Sequence, residues 1–165
     1  MTADQQYDCP IMMPSSRVLP EWIDYNGHMN VAYYVLAFDH AVDPMLEMFG
    51  IGPGYIERTG ASQFVLESHV TYLRELTQGD GISITLQLLD FDNKRIHYFM
   101  SMYHQEQCYL AATSEQISTH VDLNTRRSVE FPKSVSHRLA QVMKYHGDAP
   151  TPSQAGNVIG IRRKG

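Results

Sequence analysis

Two cysteines in 165 residues, Cys9 and Cys108, leave this chain without the means for a disulfide framework. Long hydrophobic runs are missing too. No stretch approaches the roughly eighteen charge-free apolar residues that a membrane helix needs. Residues 1–9 have neither a basic start nor an apolar core, so no secretory leader is expected. Blocks of like charge are absent and the formal net charge is −5. Both argue against broad contact with nucleic acid, whose phosphates demand clustered Lys and Arg. The short basic run Arg162-Arg163-Lys164 reads as a solvated end. The histidines show no metal-ligand spacing: His97 and His104 lie an odd number apart on one expected strand and so face opposite sides, and no metal is expected. Internal repeats are lacking. What is present is ordinary for one globular domain, 43% hydrophobic and 19% charged. A cytoplasmic enzyme or binding protein fits this balance.

Along the chain the apolar period changes once. Residues 1–13 read as a loose lead-in, Ser16 to Leu19 as a short strand closed by Pro20. From Val31 to Phe49 the apolar residues recur at helical spacing, nearly all round in the early half, as in a helix gripped by a sheet. Pro44 inside this run predicts a kink or a split, and Gly50 with Gly52-Pro53-Gly54 predicts its stop. The period then becomes two. Phe64, Leu66, Ser68, Val70 and Tyr72 alternate with their neighbours, as do Ile82, Ile84, Leu86 and Leu88. Turns at Asp92-Asn93-Lys94 and Gln105-Glu106-Gln107 separate two further strands, Ile96–Gln105 and Tyr109–Val121. A helix is expected after Pro132, with Val135, Leu139, Val142 and Met143 buried. The reading is an α+β fold: one long central helix wrapped by a curved antiparallel five-stranded sheet, plus a C-terminal helix. Residues 1–146 form the single domain, and the Pro-, Ser- and Gly-rich residues 147–165 a flexible tail.

The chemistry concentrates before the long helix, in Asp24-Tyr25-Asn26-Gly27-His28-Met29-Asn30-Val31-Ala32-Tyr33-Tyr34. Asp24 can act as base or nucleophile, Gly27 allows a tight turn, and the unpaired N–H groups of a helix start can hold an oxyanion. Turn chemistry followed by an Asn30 N-cap accounts for the same residues without function.

The segment resembles the signature of the 4-hydroxybenzoyl-CoA thioesterase-type hotdog family, roughly Asp-x-x-Gly-His-(Val/Met)-Asn-x-x-x-Tyr. Asp24, Gly27, His28, Met29, Asn30 and Tyr34 match it, while Val31 stands where many relatives carry a second Asn. The element order from about residue 14 to 145 also fits. The resemblance implies an acyl-CoA thioesterase. Asp24 would attack the thioester or activate water, and the Val31 backbone N–H would hold the oxyanion, so the change to Val costs nothing there. Asn30 orients Asp24 or caps the helix, and His28 holds the loop. Glu67, on one strand face with His69, is a second-rank catalytic carboxylate. The stretch Leu19 to Met29 is most similar to thioesterases of bacterial carnitine breakdown, some fused to carnitine dehydrogenases. That implies betainyl-CoA as substrate, with Trp22, Tyr25, Tyr33 and Tyr34 as an aromatic cage for the trimethylammonium group. Arg74, Arg126, Arg127 and Lys133 are candidates for the CoA phosphates. CoA enters as part of the substrate and no other cofactor is implied. A homodimer or homotetramer is expected, with Asp24 of one chain near strand residues of the next. The competing functions are a hydratase or dehydratase of acyl thioesters, or a non-catalytic acyl-CoA-binding protein.

Overall fold

The computed structural model describes residues 7–161. Asn30, in extended conformation, caps the helix α1 (Val31–Phe49) by accepting the Ala32 N–H on its side chain. Tyr34, Ala37, Phe38, Ala41, Met45 and Phe49 fall on one stripe and are buried. Gly50 ends the helix in the left-handed conformation, where a side chain would be strained. Of the kink or split expected at Pro44, the split does not occur, and the helix runs through it. The carbonyl it leaves without a donor is that of His40, an exposed residue, so water can satisfy it. Gly52-Pro53-Gly54 also departs from its reading as a plain stop. It opens a second helix, α2 (Pro53–Thr59), because Pro at the first helical position sacrifices no hydrogen bond.

The sheet grows from the alternating segments. Short strands β1 (Ile11–Met12) and β2 (Ser16–Arg17) both pair with β4 (Gly81–Phe91). Beside β4 lie β5 (Arg95–His104), then β6 (Leu110–Asp122), then β3 (Ala61–Tyr72). A two-residue β7 (Arg127–Ser128) adds to β6. All pairs are antiparallel. The sheet is therefore five strands wide, as expected, with its first strand broken in two and β7 appended. Two local readings change. Ile11-Met12, taken as loose lead-in, pairs because β4 would otherwise present an open edge. The strand expected over Ser16 to Leu19 pairs only at Ser16–Arg17, and Pro20–Trp22 then forms a single 3-10 turn, after which Ile23 bridges Met29.

One face of the sheet carries Ile84, Leu86, Leu88, Tyr98, Met100 and Met102 against the stripe of α1, and this is the core. Helix α3 (Lys133–His146) follows Pro132 and buries Val135, Leu139, Val142 and His146. Residues 147–161, expected as part of a flexible tail, run over the opposite face. Gln87 donates to the Pro150 carbonyl at 3.4 Å, and the Gly156 N–H donates to Glu115 at 2.7 Å. Arg162-Arg163-Lys164 lies outside the described residues.

The strand β3 is an edge. Phe64 to Ser68 are exposed, and Leu66 reaches 59%. Val31 and Val35 on α1 are exposed as well. The early half of the helix is thus apolar all round, but one of its faces is uncovered within a single chain.

Candidate active site

The loop before α1 is closed by short-range bonds. The Gly27 N–H donates to the Asp24 carbonyl at 3.0 Å, and Gly27 takes the left-handed φ of 82° that this turn requires. The Met29 N–H donates to the Leu76 carbonyl and the Asn30 N–H to the Trp22 carbonyl, at 2.8 and 2.9 Å. Tyr34, one turn into the helix, is 4% exposed, and its hydroxyl accepts the Leu76 N–H at 3.0 Å. Burial pushes the Tyr34 phenol up to about 12. The loop is therefore stapled to the chain between β3 and β4.

Both oxygens of Asp24 are engaged. Oδ1 accepts the Asn26 N–H at 2.7 Å and Oδ2 accepts from the Asn30 side chain at 3.2 Å. The Asn26 amide, then Asn30 and the nearby His28, hold the carboxyl below its ordinary range despite some burial, so Asp24 is ionised at neutral pH. Asn30 does both jobs left open by the sequence: Oδ1 caps the helix and Nδ2 orients Asp24. The Val31 N–H heads the helix and takes no hydrogen bond among the described residues. It is a free donor at the positive end of a helix dipole. His28 donates from Nδ1 to the Met29 carbonyl at 3.2 Å, which ties the ring to its own loop.

A groove of about 230 Å³ opens at this helix start, between Val31, Tyr34 and His28 on one side and Tyr72, Arg74 and Glu75 on the other. The Tyr72 hydroxyl donates to the Val31 carbonyl at 3.5 Å, and its ring meets that of Tyr34 edge to face. Tyr72 and Glu75 were not singled out from the sequence. No local pattern marks them, because their approach to Val31 depends on how β3 packs against α1.

The other sequence candidates are not all brought together. Trp22 and Tyr33 stack on each other, centroids 5.5 Å apart, and Tyr25 stands 97% exposed at the turn tip. With Tyr34 in the core, the four do not form one wall within a chain. Arg74 lies in the groove with its guanidinium over the Tyr109 ring, whereas Arg126 sits beyond the opposite end of β3, over Phe64. Arg127 is on β7 and Lys133 begins α3. Glu67 and His69 share the face of β3 that points away from α1, on the rows of Ile117 and Glu115. Glu67 thus lies apart from Asp24 of its own chain. His97 pairs with Glu115 on that outer face, while His104 is buried. Among the described residues no three His, Cys, Asp or Glu are grouped to hold a metal ion. No helix among them is long and apolar enough to cross a membrane.

The thioesterase-like superfamily model matches residues 18–139, most of the chain and the whole site. The chain belongs to this superfamily. A thioesterase-like chain of this kind has close curated relatives. Betainyl-CoA thioesterase of Pseudomonas aeruginosa is 37% identical over 144 residues, covering 87% of this chain and 91% of that protein. The L-carnitine dehydrogenase/betainyl-CoA thioesterase of Rhizobium meliloti is 34% identical over 93% of this chain, which spans 31% of that longer protein. Among solved structures, a Staphylococcus aureus protein in complex with CoA superposes with a TM-score of 0.86 at 33% identity, over 96% of this chain and 100% of that one. The expected hotdog thioesterase fold and the enzyme class, thioester hydrolase, are borne out.

Proposed function

We propose that this thioesterase hydrolyses betainyl-CoA to betaine and CoA, with Asp24 and the Val31 N–H as its working groups. The observation that carries the chemistry is the pairing of an oriented, ionised carboxylate with a free helix-start donor on one short loop. The thioester carbonyl oxygen accepts from the Val31 N–H. Negative charge that builds on it is stabilised by the helix dipole and costs no reorganisation. Either Asp24 attacks the carbonyl carbon, the C–S bond breaks, CoA leaves as a thiolate that takes a proton from water, and a second water hydrolyses the mixed anhydride to free Asp24 and betaine; or Asp24 takes the proton from an attacking water, the C–S bond breaks, and Asp24 returns that proton to the leaving sulfur. Both routes use the ionised form that Asn26 and Asn30 favour. Asn30 and His28 position the loop, and Arg74, which lines the groove, is our candidate for a CoA phosphate. The reaction asks for no metal and no resident cofactor. A hydratase would ordinarily pair a free His with a carboxylate, and His28 is bound to its own loop.

The acyl group rests on the Pseudomonas aeruginosa relative, whose similarity runs nearly the full length of both chains. The enzyme acts as a homodimer at least. The unpaired β3 edge, with exposed Val65 and Leu66 beside the uncovered Val31 and Val35 of α1, supports edge-to-edge joining of two copies. The test is release of free thiol from a panel of acyl-CoAs that includes betainyl-CoA and its uncharged isostere, 3,3-dimethylbutanoyl-CoA. After normalisation to alkaline hydrolysis of each ester, the cationic substrate is expected to lead by about tenfold or more in kcat/KM, the size of a few good cation contacts. A normalised ratio near one rejects betainyl-CoA and leaves a thioesterase of another acyl group.

A further inference from the structure

A cavity of about 480 Å³ lies where α1 ends, α2 passes and α3 begins. Phe49, Tyr55 and Val135, all buried, form its floor, and the exposed residues Glu47, Arg58 and Arg138 stand around it. The cavity is remote from Asp24 and the Val31 N–H of its own chain. Most of α1, about 25 Å along the axis, separates them. None of the groups around it takes part in the reaction proposed above. Charges of both signs face this space without meeting: among the described residues, neither guanidinium nor the Glu47 carboxylate is in an ion pair. Two glycines seat them. A Cβ at Gly50 would strike the Arg138 guanidinium, and one at Gly52 the Glu47 carboxylate.

The helix ends that meet here carry the same two polarities. α1 brings its partly negative C-terminus beside Glu47, and α3 its partly positive N-terminus beside Ser134. The hydroxyls of Thr59 and Tyr55 are engaged by the Tyr55 carbonyl and by His120, whereas that of Ser134 has no partner among the described residues. An anion alone would meet Glu47 and the end of α1, and a cation alone would meet two guanidiniums. A small molecule that carries both charges is attracted at each pole. Its carboxylate matches the fork of a guanidinium, and methyl groups on its ammonium nitrogen suit the rings of Phe49 and Tyr55.

We infer that this cavity binds a small zwitterion, its carboxylate on Arg58, Arg138 and the Ser134 hydroxyl, its ammonium group at Glu47. Betaine, the acid released from betainyl-CoA, belongs to this class, so the site takes up the product away from the place where it forms. That identity rests on the betainyl-CoA reading; the polarity of the cavity does not. The test is calorimetric titration of the unaltered protein with betaine and with two probes that each lack one charge. These are 3,3-dimethylbutanoate, in which carbon replaces the ammonium nitrogen, and tetramethylammonium. Betaine is expected to bind at least about tenfold more tightly than either, the size of one charge-assisted contact. Arg58→Gln with Arg138→Gln, and separately Glu47→Gln, are each expected to weaken betaine by about tenfold or more while thiol release from acyl-CoA keeps its wild-type rate. All three positions are exposed, and a thermal melt checks the fold of each variant. Absence of betaine binding, or 3,3-dimethylbutanoate bound as tightly as betaine, overturns the inference. Betaine binding that survives both sets of substitutions belongs to the active site and overturns it as well. The substrate ratio described above tests the betainyl-CoA reading independently: a ratio near one, with betaine still bound through Glu47 and the two arginines, overturns that reading and leaves this inference standing.

Discussion

Val31→Pro removes one hydrogen atom from the proposed site and little else. Val31 is the first residue of α1, where Pro is favoured because the N–H has no helical partner and the fixed φ suits the helix. The residue before it must be extended, and Asn30 already is, at φ −67° and ψ 145°. The cap bond runs to the Ala32 N–H at 3.0 Å, one residue beyond the change, and survives it. The Val31 side chain is 55% exposed, so its loss removes little packing. Stability is therefore expected to stay within about 0.5 kcal/mol, the usual range for such surface changes. Turnover is a different matter. Loss of one oxyanion donor costs about 2.7–4 kcal/mol of barrier, or about a hundred- to a thousandfold in kcat. Thiol release at saturating acyl-CoA, beside a thermal melt, measures both, with Val31→Ala as the control that keeps the N–H. A folded Val31→Pro enzyme that turns over within about threefold of Val31→Ala would refute the assignment, since that is under 1 kcal/mol by the same arithmetic.

Leu66→Lys places a charge in the middle of the exposed β3 edge and is expected to give monomers in sedimentation together with loss of activity. Tyr34→Phe strips the acceptor from the buried Leu76 N–H and is expected to cost about 1–3 kcal/mol in denaturant unfolding. His146 accepts the Leu88 N–H at 2.9 Å and donates to the Asp8 carbonyl at 2.9 Å, and burial lowers its proton affinity. The folded state favours the neutral ring, so its contribution is complete above about pH 6.5 and falls away as pH drops below that value. His146→Gln should flatten this part of the stability–pH curve.

The features legible in the sequence were those whose causes are local. Asp24, Gly27, Asn30 and Val31 owe their geometry to a turn and a cap within a few residues of one another, and the structure assembles them in that order. The alternation in β3 to β6 likewise states which residues share a face, so Glu67 and His69 were placed on one side correctly. Alternation is silent on strand order. A long strand of mixed apolar and polar residues such as Ala61–Tyr72 reads as well for a sheet centre as for an edge, and only its pairing with β6 alone exposes Leu66. The same non-local packing sets Tyr72 against Val31, so that contact had no sequence signal. Trp22 and Tyr33 were grouped with Tyr25 because they are close in the chain. The 3-10 turn at Pro20 sends Trp22 under the loop instead, where Tyr33 stacks on it.

Asp24→Asn carries the central claim. The amide keeps the size of the side chain and can still meet the Asn26 N–H through its oxygen, but it has neither the charge nor the basicity that hydrolysis requires. The decisive measurement is thiol release from betainyl-CoA by the purified variant, with acyl-CoA binding followed by calorimetry on the same sample. The expected result is binding close to wild type with turnover at background. Turnover above about a tenth of wild type, a loss of under about 1.4 kcal/mol of transition-state stabilisation, would contradict it and move the search for the catalytic carboxylate to Glu67.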